Sequence, residues 1–359
     1  MTRAHNFCAG PAALPAEVLQ RVQSELLDWQ GVGASIMELS HRSPEFVDVA
    51  ERAEQSLRRL LGVGDDYAVL FQQGGASQQF ASVPLNLSCA DDTVDQLVTG
   101  QWSKKALAEG KRHVNVNVAS TSEDSNFSTI PSESEWKLTE GAAYLHYCPN
   151  ETIGGLEFDF VPKTAAPVVA DMSSTILSRP IDVGRFGVIY AGAQKNIGPA
   201  GLCLVIVKRD LLERARSDIP AMLNWKVAAD NDSMYNTPPT FALYLSGLVF
   251  DWIEAKGGLV AMQVLNEKKA STLYSAIDES GFYNNPVDPR YRSLMNVPFT
   301  LADASLDKRF LEEAEAEQLL NLKGHRSVGG MRASIYNAVE QSSVDALCDF
   351  MHRFETKYG

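Results

Sequence analysis

One lysine, Lys195, stands in the segment FGVIYAGAQKNIGPAGLCLVIV, between two apolar runs, where an amine can do covalent chemistry. Val188, Ile189 and Tyr190 read as a buried strand, Ala191-Gly192-Ala193 as its tight exit, and Leu202 to Val207 as the next strand. The lysine therefore falls at the strand ends, the edge at which open α/β sheets bind ligands. Desolvation there penalises the ammonium and lowers its pKa, and a neutral amine attacks an aldehyde to make a Schiff base.

Asp171 closes another short apolar run, Pro167-Val168-Val169-Ala170, and projects over the same sheet edge. A lysine to hold an aldehyde carbon and an acid to keep a pyridine nitrogen protonated are the two groups that pyridoxal 5'-phosphate demands of a protein. Asp171 also precedes Met172-Ser173-Ser174 and is placed to cap a helix, a role compatible with the first. A third element, Gly74-Gly75-Ala76-Ser77, follows the apolar run Ala68 to Phe71 and precedes a helix expected to begin near Gln78. Strand, glycine turn and helix start make a cup for phosphate, lined by free N–H groups and favoured by the helix dipole. Neither a Walker A lysine pattern nor a complete G-x-G-x-x-G is present.

Charge narrows the partners. With 45 acidic against 32 basic residues the formal net charge is −13, so the overall field repels anions and nucleic acid is excluded as a partner. Anionic substrates then need local cations, and two His-Arg pairs, His41-Arg42 and His325-Arg326, use four of the available groups. The first pair lies just before Ser43-Pro44, an N-cap and first-turn proline heading the amphipathic run Phe46, Val49, Ala53, Leu57, Leu60. Arg332 sits in Met331-Arg332-Ala333-Ser334-Ile335-Tyr336, whose period of two reads as a strand, and its guanidinium can grip a carboxylate through two parallel bonds.

The elements that must position these residues are legible as short apolar runs near 67–72, 95–99, 113–118, 143–147, 167–170, 188–190 and 202–207, alternating with helical or loop stretches. That order predicts an α/β fold, a mostly parallel seven-stranded sheet with helices on both faces. Segment 120–141, rich in Ser, Glu and Thr, is expected to be an exposed loop. A long helical stretch from Phe241 to Ser280 precedes a break at Gly281 and Asn284-Asn285-Pro286. Alternating segments near 292–300 and 331–336 and a helix near 341–356 then predict a smaller α+β C-terminal domain. The expected division is a large domain over 16–255 and a small one over 256–359, joined by an N-terminal arm over 1–15. Five scattered cysteines without C-x-x-C spacing suit free thiols in a reducing compartment, and no apolar run is long enough for a bilayer. A soluble cytoplasmic protein is expected, with no internal repeat, no basic-then-apolar leader and no metal site.

In its ordered blocks the chain resembles the phosphoserine aminotransferase family, class V aminotransferases of the fold type I pyridoxal phosphate enzymes. The blocks are NFCAGPAALP, SHRSPEF, QGGASQQF, TGQWSKKA, HYCPNETIGG, VADMSS, YAGAQKNIGPAG, MYNTPPT and KGHRSVGGMRASIYNA, nearly end to end. The resemblance implies Lys195 as the Schiff-base lysine, Asp171 at the ring nitrogen, Trp102 stacked on the cofactor, and Thr152 donating to its phenolic oxygen. It implies Ala76, Ser77 and Gln194 at the phosphate, with Asn236 and Thr237 reaching that phosphate from the second subunit of a homodimer with shared active sites. Some members carry arginine where this chain has Ser77, which removes one positive charge from the phosphate contacts. By the same resemblance Arg332 binds the α-carboxylate, while His41 and Arg42 of the other subunit, with His325 and Arg326, bind a side-chain phosphate or γ-carboxylate. The implied activity is transamination between L-glutamate and 3-phosphohydroxypyruvate, giving O-phospho-L-serine and 2-oxoglutarate. In some members the phosphorylated hydroxy-threonine of vitamin B6 synthesis is a second substrate.

Two other readings compete. A different class V activity, cysteine desulfuration or alanine–glyoxylate transfer, calls for a nucleophilic cysteine on a mobile loop or for a small neutral substrate, and paired His-Arg groups suit neither. A binding protein that merely holds a phosphorylated metabolite needs neither Lys195 nor Asp171.

Overall fold

A computed structural model describes residues 3–359, so residues 1 and 2 of the expected arm lie outside the described residues. The sheet has seven strands in the order Tyr67–Gln73, Leu202–Lys208, Val188–Gly192, Val168–Asp171, Leu145–Tyr147, Thr93–Val98, Asn115–Thr121. Leu202–Lys208 runs antiparallel to both its neighbours and the remaining pairs are parallel. Near-continuous apolar runs form these strands because both faces are covered. Val69, Phe71, Ile189, Ala191, Leu204 and Ile206 pack with helices Pro44–Leu61 and Thr240–Ala255. The alternate residues Ala68, Leu70, Val188, Tyr190, Val205 and Val207 face helices Ala76–Leu87 and Gln101–Gly110.

The Pro44–Leu61 helix starts as its residues dictate. Ser43 Oγ accepts from the Phe46 amide and Pro44 occupies the first turn, while Phe46, Val49, Ala53 and Leu57 bury one stripe. Other boundaries differ from expectation. The phosphate-cup helix begins at Ala76, two residues before Gln78. The stretch Phe241–Ser280 is two helices, Thr240–Ala255 and Gly258–Asp278, parted where Gly257 and Gly258 adopt φ of 100° and 73°; an L side chain is strained there, so the glycine pair turns the chain. Segment 120–141 is tied down more than a free loop: Thr121 still belongs to a strand, Ile130 is buried in the core, and Trp136 stacks on Phe160 at 6.1 Å.

A second apolar cluster gathers Phe282, Phe299, Phe310, Phe350 and Phe354 from the three-stranded sheet Tyr283–Asn284, Asn296–Leu301, Met331–Ser334 and its helices. Phe7 is buried in this same cluster, and His5–Asn6 pairs with Leu319–Leu320. Helix Gly258–Asp278 serves both cores, with Leu259 and Met262 in the first and Leu273 and Ile277 in the second. No helix of the described residues is long and apolar enough to cross a membrane.

Candidate active site

Four parallel strand ends and the hairpin beside them converge on one amine. Lys195 lies in the turn leaving Val188–Gly192 and is buried. Its Nζ donates to Thr152 Oγ1 at 2.7 Å and to Ser174 Oγ at 2.9 Å, and the two hydroxyls are themselves 2.6 Å apart. Burial pushes the amine down to about 8, opposed by the nearby Asp171 carboxylate. An amine so placed deprotonates within reach of neutral pH, and its two hydroxyl partners fix where the lone pair points.

Asp171 ends its strand and is also buried. Desolvation lifts its pKa, while the Lys195 charge and bonds from Ser173 pull it back. The Ser173 amide donates to Asp171 Oδ1 at 3.0 Å and the Ser173 hydroxyl at 2.6 Å, and that hydroxyl accepts from the Gly192 amide at 3.0 Å. No helix follows Asp171, so the expected helix cap is instead a cap on the turn over 173–177; Oδ1 is spent on Ser173, and Oδ2 has no partner among the described residues.

Trp102 stands in the first turn of Gln101–Gly110, with Lys195 Nζ 5.7 Å from its ring centroid and its own Nε1 buried without a partner among the described residues. Ala76 and Ser77 open their helix, whose N-cap is Gly75, and no side chain caps it; its first N–H groups stay open to an anion. Gln194 folds over Gly192, where an added Cβ would fall 2.6 Å from Gln194 Oε1, and its carbonyl accepts from the Ala12 amide at 2.8 Å.

Arg332 comes from Met331–Ser334 and is half-buried, which depresses its pKa. Its Nη1 donates to the carbonyl of Thr152 at 3.3 Å, so the cation borders the residue that touches Lys195. Near it stands His325, held below its ordinary pKa by burial and by the charges of Arg332, Lys105 and Arg326. Lys105, which sequence reasoning passed over, also lies 4.1 Å from the Trp102 ring.

Within one chain, no contact joins His41 or Arg42 to these groups among the described residues; His41 Nε2 is buried without a partner and Arg42 is exposed at its helix start. Asn236 and Thr237 are exposed as well, and Thr237 meets the site's strands only through its carbonyl, which accepts from Gln73 Nε2 at 2.5 Å. Sequence reasoning also missed Ser173 and Ser174, although both stand in VADMSS, and Glu151 in HYCPNETIGG. It missed Asn196, whose Nδ2 donates to the Ile176 carbonyl at 3.2 Å and whose Oδ1 accepts from the Asn337 amide at 3.0 Å.

The donor set fits pyridoxal 5'-phosphate: a buried amine for the aldehyde, an acid with a free oxygen for the ring nitrogen, an aromatic face beside the amine, and an uncapped helix N-terminus for the phosphate. Residues 4–347 match the family model described as aminotransferase class-V. The chain is 62% identical over 358 residues to the phosphoserine aminotransferase of Pseudomonas aeruginosa (strain LESB58), covering 99% of each chain. Among solved structures, the phosphoserine aminotransferase from Bacillus circulans subsp. alkalophilus superposes with a TM-score of 0.98 at 49% identity, covering 99% of each chain. The PLP-bound phosphoserine aminotransferase from Trichomonas vaginalis does so with a TM-score of 0.94 at 44% identity, covering 98% of this chain and all of that one.

Proposed function

The chain belongs to the class-V aminotransferase family, pyridoxal-phosphate-dependent enzymes, and from that premise we propose that it moves the amino group between L-glutamate and 3-phosphohydroxypyruvate, giving O-phospho-L-serine and 2-oxoglutarate. The observation that carries this reading is the buried Lys195 amine, held by Thr152 and Ser174, with Arg332 docked on the carbonyl of that same Thr152.

Bound pyridoxal phosphate supplies an aldehyde for the amino group and a protonated ring that accepts electrons. Lys195 would hold the aldehyde carbon and, once released, move a proton between the substrate's α-carbon and the cofactor's C4′. Asp171 would face the ring nitrogen through Oδ2, Trp102 would cover the ring, and Thr152 would donate to the phenolic oxygen. Ala76, Ser77 and Gln194 would hold the phosphate.

Arg332 suits the α-carboxylate common to both amino acids. His325 and Arg326 then face the distal anion, a phosphate in one substrate and a carboxylate in the other. The isolation of His41 and Arg42 from the site within one chain supports a homodimer in which a second copy of this chain brings these two residues, with its Asn236 and Thr237, to the distal anion and the cofactor. A large domain over 16–255, a small one over 256–359 and an arm over 1–15 are part of the same reading, supported by the two apolar clusters and by Phe7 in the second. We also place the protein in the cytoplasm.

The test compares O-phospho-L-serine, L-cysteine and L-alanine as donors to 2-oxoglutarate at equal concentration. Phosphoserine giving the highest kcat/KM is expected; phosphoserine losing to either sinks the substrate assignment.

A further inference from the structure

Trp102 turns its ring toward Lys195, yet its Nε1 has no hydrogen-bond partner among the described residues, so the ring's height over the site depends on packing and on the backbone beneath it. That backbone is a helix start whose N-cap, Gly100, has no side chain to offer. The cap comes from a distant part of the chain. Glu151 Oε2 accepts from the Trp102 amide at 2.9 Å, and Oε1 accepts from the Ser103 amide at 2.8 Å and the Ser103 hydroxyl at 2.6 Å.

Glu151 is fully buried and makes no salt bridge among the described residues; burial lifts its pKa against the pull of these three donors. A buried carboxylate with no cation against it is an expensive group to keep, and a plain serine at the N-cap would cap this helix more cheaply. The approach is tight as well: a Cβ on Gly100 would lie 2.4 Å from Glu151 Cδ. What Glu151 adds is location, because it ends the short strand Asn150–Glu151 and the next residue, Thr152, accepts from Lys195.

We propose that Glu151 is a positioning residue for the cofactor: by holding the Trp102 and Ser103 amides it sets the Trp102 ring in register with the Lys195 and Thr152 contact carried by the adjacent residue. This rests on the pyridoxal phosphate site described above and is independent of which amino acid is the donor.

Two variants test it. Glu151→Gln keeps the size but replaces one acceptor oxygen with an amide donor, and Ser103→Ala removes the hydroxyl's bond to Glu151, together with those it accepts from the Thr99 and Gly100 amides, while leaving the carboxylate in place. In cofactor-free protein, hydrogen exchange in peptide 100–106 is followed by mass spectrometry, with helix Gln341–Tyr358 as the internal reference; pyridoxal phosphate affinity is titrated separately. Both variants are expected to exchange faster in 100–106 alone, and Glu151→Gln to raise the cofactor dissociation constant about tenfold, the scale of one lost charge-assisted hydrogen bond. A Glu151→Gln protein that melts earlier but keeps wild-type cofactor affinity overturns the proposal. Should that variant not fold, Ser103→Ala decides, and unchanged exchange together with unchanged affinity overturns it. Poor phosphoserine turnover with normal cofactor affinity counts against the substrate assignment and leaves Glu151's role intact.

Discussion

The Ser173 hydroxyl donates to Asp171 Oδ1 at 2.6 Å and takes the Gly192 amide at 3.0 Å, tying the acid of one strand end to the exit of the next. Ser173 thus orients Asp171 and favours its ionised form against the desolvation that disfavours it. Ser173→Ala should raise the Asp171 pKa further. A group needed as carboxylate then fails at higher pH, so the acid limb of the kcat/KM profile should move upward and turnover at neutral pH fall about tenfold, the loss expected for one short charged hydrogen bond. Steady-state profiles of both proteins check this; superimposable acid limbs would count against it.

Lys195 supplies the second prediction. Lys195→Ala should cut turnover by at least about a thousandfold, in the range lost with a general base and nucleophile together. The wild-type amine, pushed down to about 8 by burial, also fixes the pH dependence of cofactor loading. The neutral fraction grows as pH rises through that value, so the rate at which cofactor-free protein takes up pyridoxal phosphate should rise and then level off above it. Stopped-flow absorbance measures this directly, and a flat rate from acid to alkaline pH contradicts the placement of Lys195 in a dry pocket.

Arg332 is the third. Its Nη1 already leans on the Thr152 carbonyl, leaving the rest of the fork to meet a carboxylate. Arg332→Lys keeps the charge and loses the paired geometry, so KM for L-glutamate and for O-phospho-L-serine should both rise about 10- to 100-fold with a smaller change in kcat. A rise for one substrate alone would place Arg332 at the distal anion instead of the shared α-carboxylate.

How much of this was legible depends on the distance over which each residue acts. Lys195 and Asp171 announce themselves because a buried strand is a continuous apolar run, and a charged residue at its end stands out against it. The Pro44–Leu61 helix shows through Ser43, Pro44 and an apolar stripe within four turns. Gly257 and Gly258 conceal a break because glycines inside a helical pattern are tolerated until tertiary packing turns the chain. Glu151 and Asn196 are invisible in the pattern: the first caps a helix 48 residues away through Ser103, and the second meets Asn337 141 residues away. A polar residue's partner is chosen by the folded chain, which a local period does not encode.

Asn337 carries the fourth prediction, since it joins the strand of Arg332 to the loop of Ser174. Its amide donates to Asn196, its Nδ2 to the Leu177 carbonyl at 2.8 Å, and its Oδ1 accepts from Asn266 at 2.8 Å. Leu177 holds φ of 61°, unfavourable for a branched side chain, so this contact braces a strained turn three residues past a partner of Lys195. Asn337→Ala should destabilise the cofactor-free protein by about 2–3 kcal/mol, because it leaves the buried Leu177 carbonyl without its partner and the buried Asn266 amide with only its bond to the Ser178 carbonyl. Urea denaturation followed by circular dichroism measures it, and a change below about 0.5 kcal/mol, the scale of a surface substitution, would show the brace to be idle.

Lys269 gives the last. It is buried on helix Gly258–Asp278, and its Nζ donates to the carbonyls of Ile335 at 2.9 Å and Tyr336 at 2.7 Å, clamping the chain just past Arg332. Burial pushes this amine down to about 7 from its ordinary 10.5. Between those values the unfolded chain binds the proton more fully than the folded one, so this group makes the protein more stable as pH rises through that window, and below it the penalty for burying the charge is present in full. Lys269→Met removes both the clamp and the titration. The variant should be less stable than the wild type by about 2–3 kcal/mol near pH 9, where two carbonyls lose partners, and by clearly less near pH 6, where the wild type also bears a buried charge. Denaturation of both cofactor-free proteins at the two pH values decides it; an equal gap at both would mean that the ammonium is not desolvated as its surroundings require.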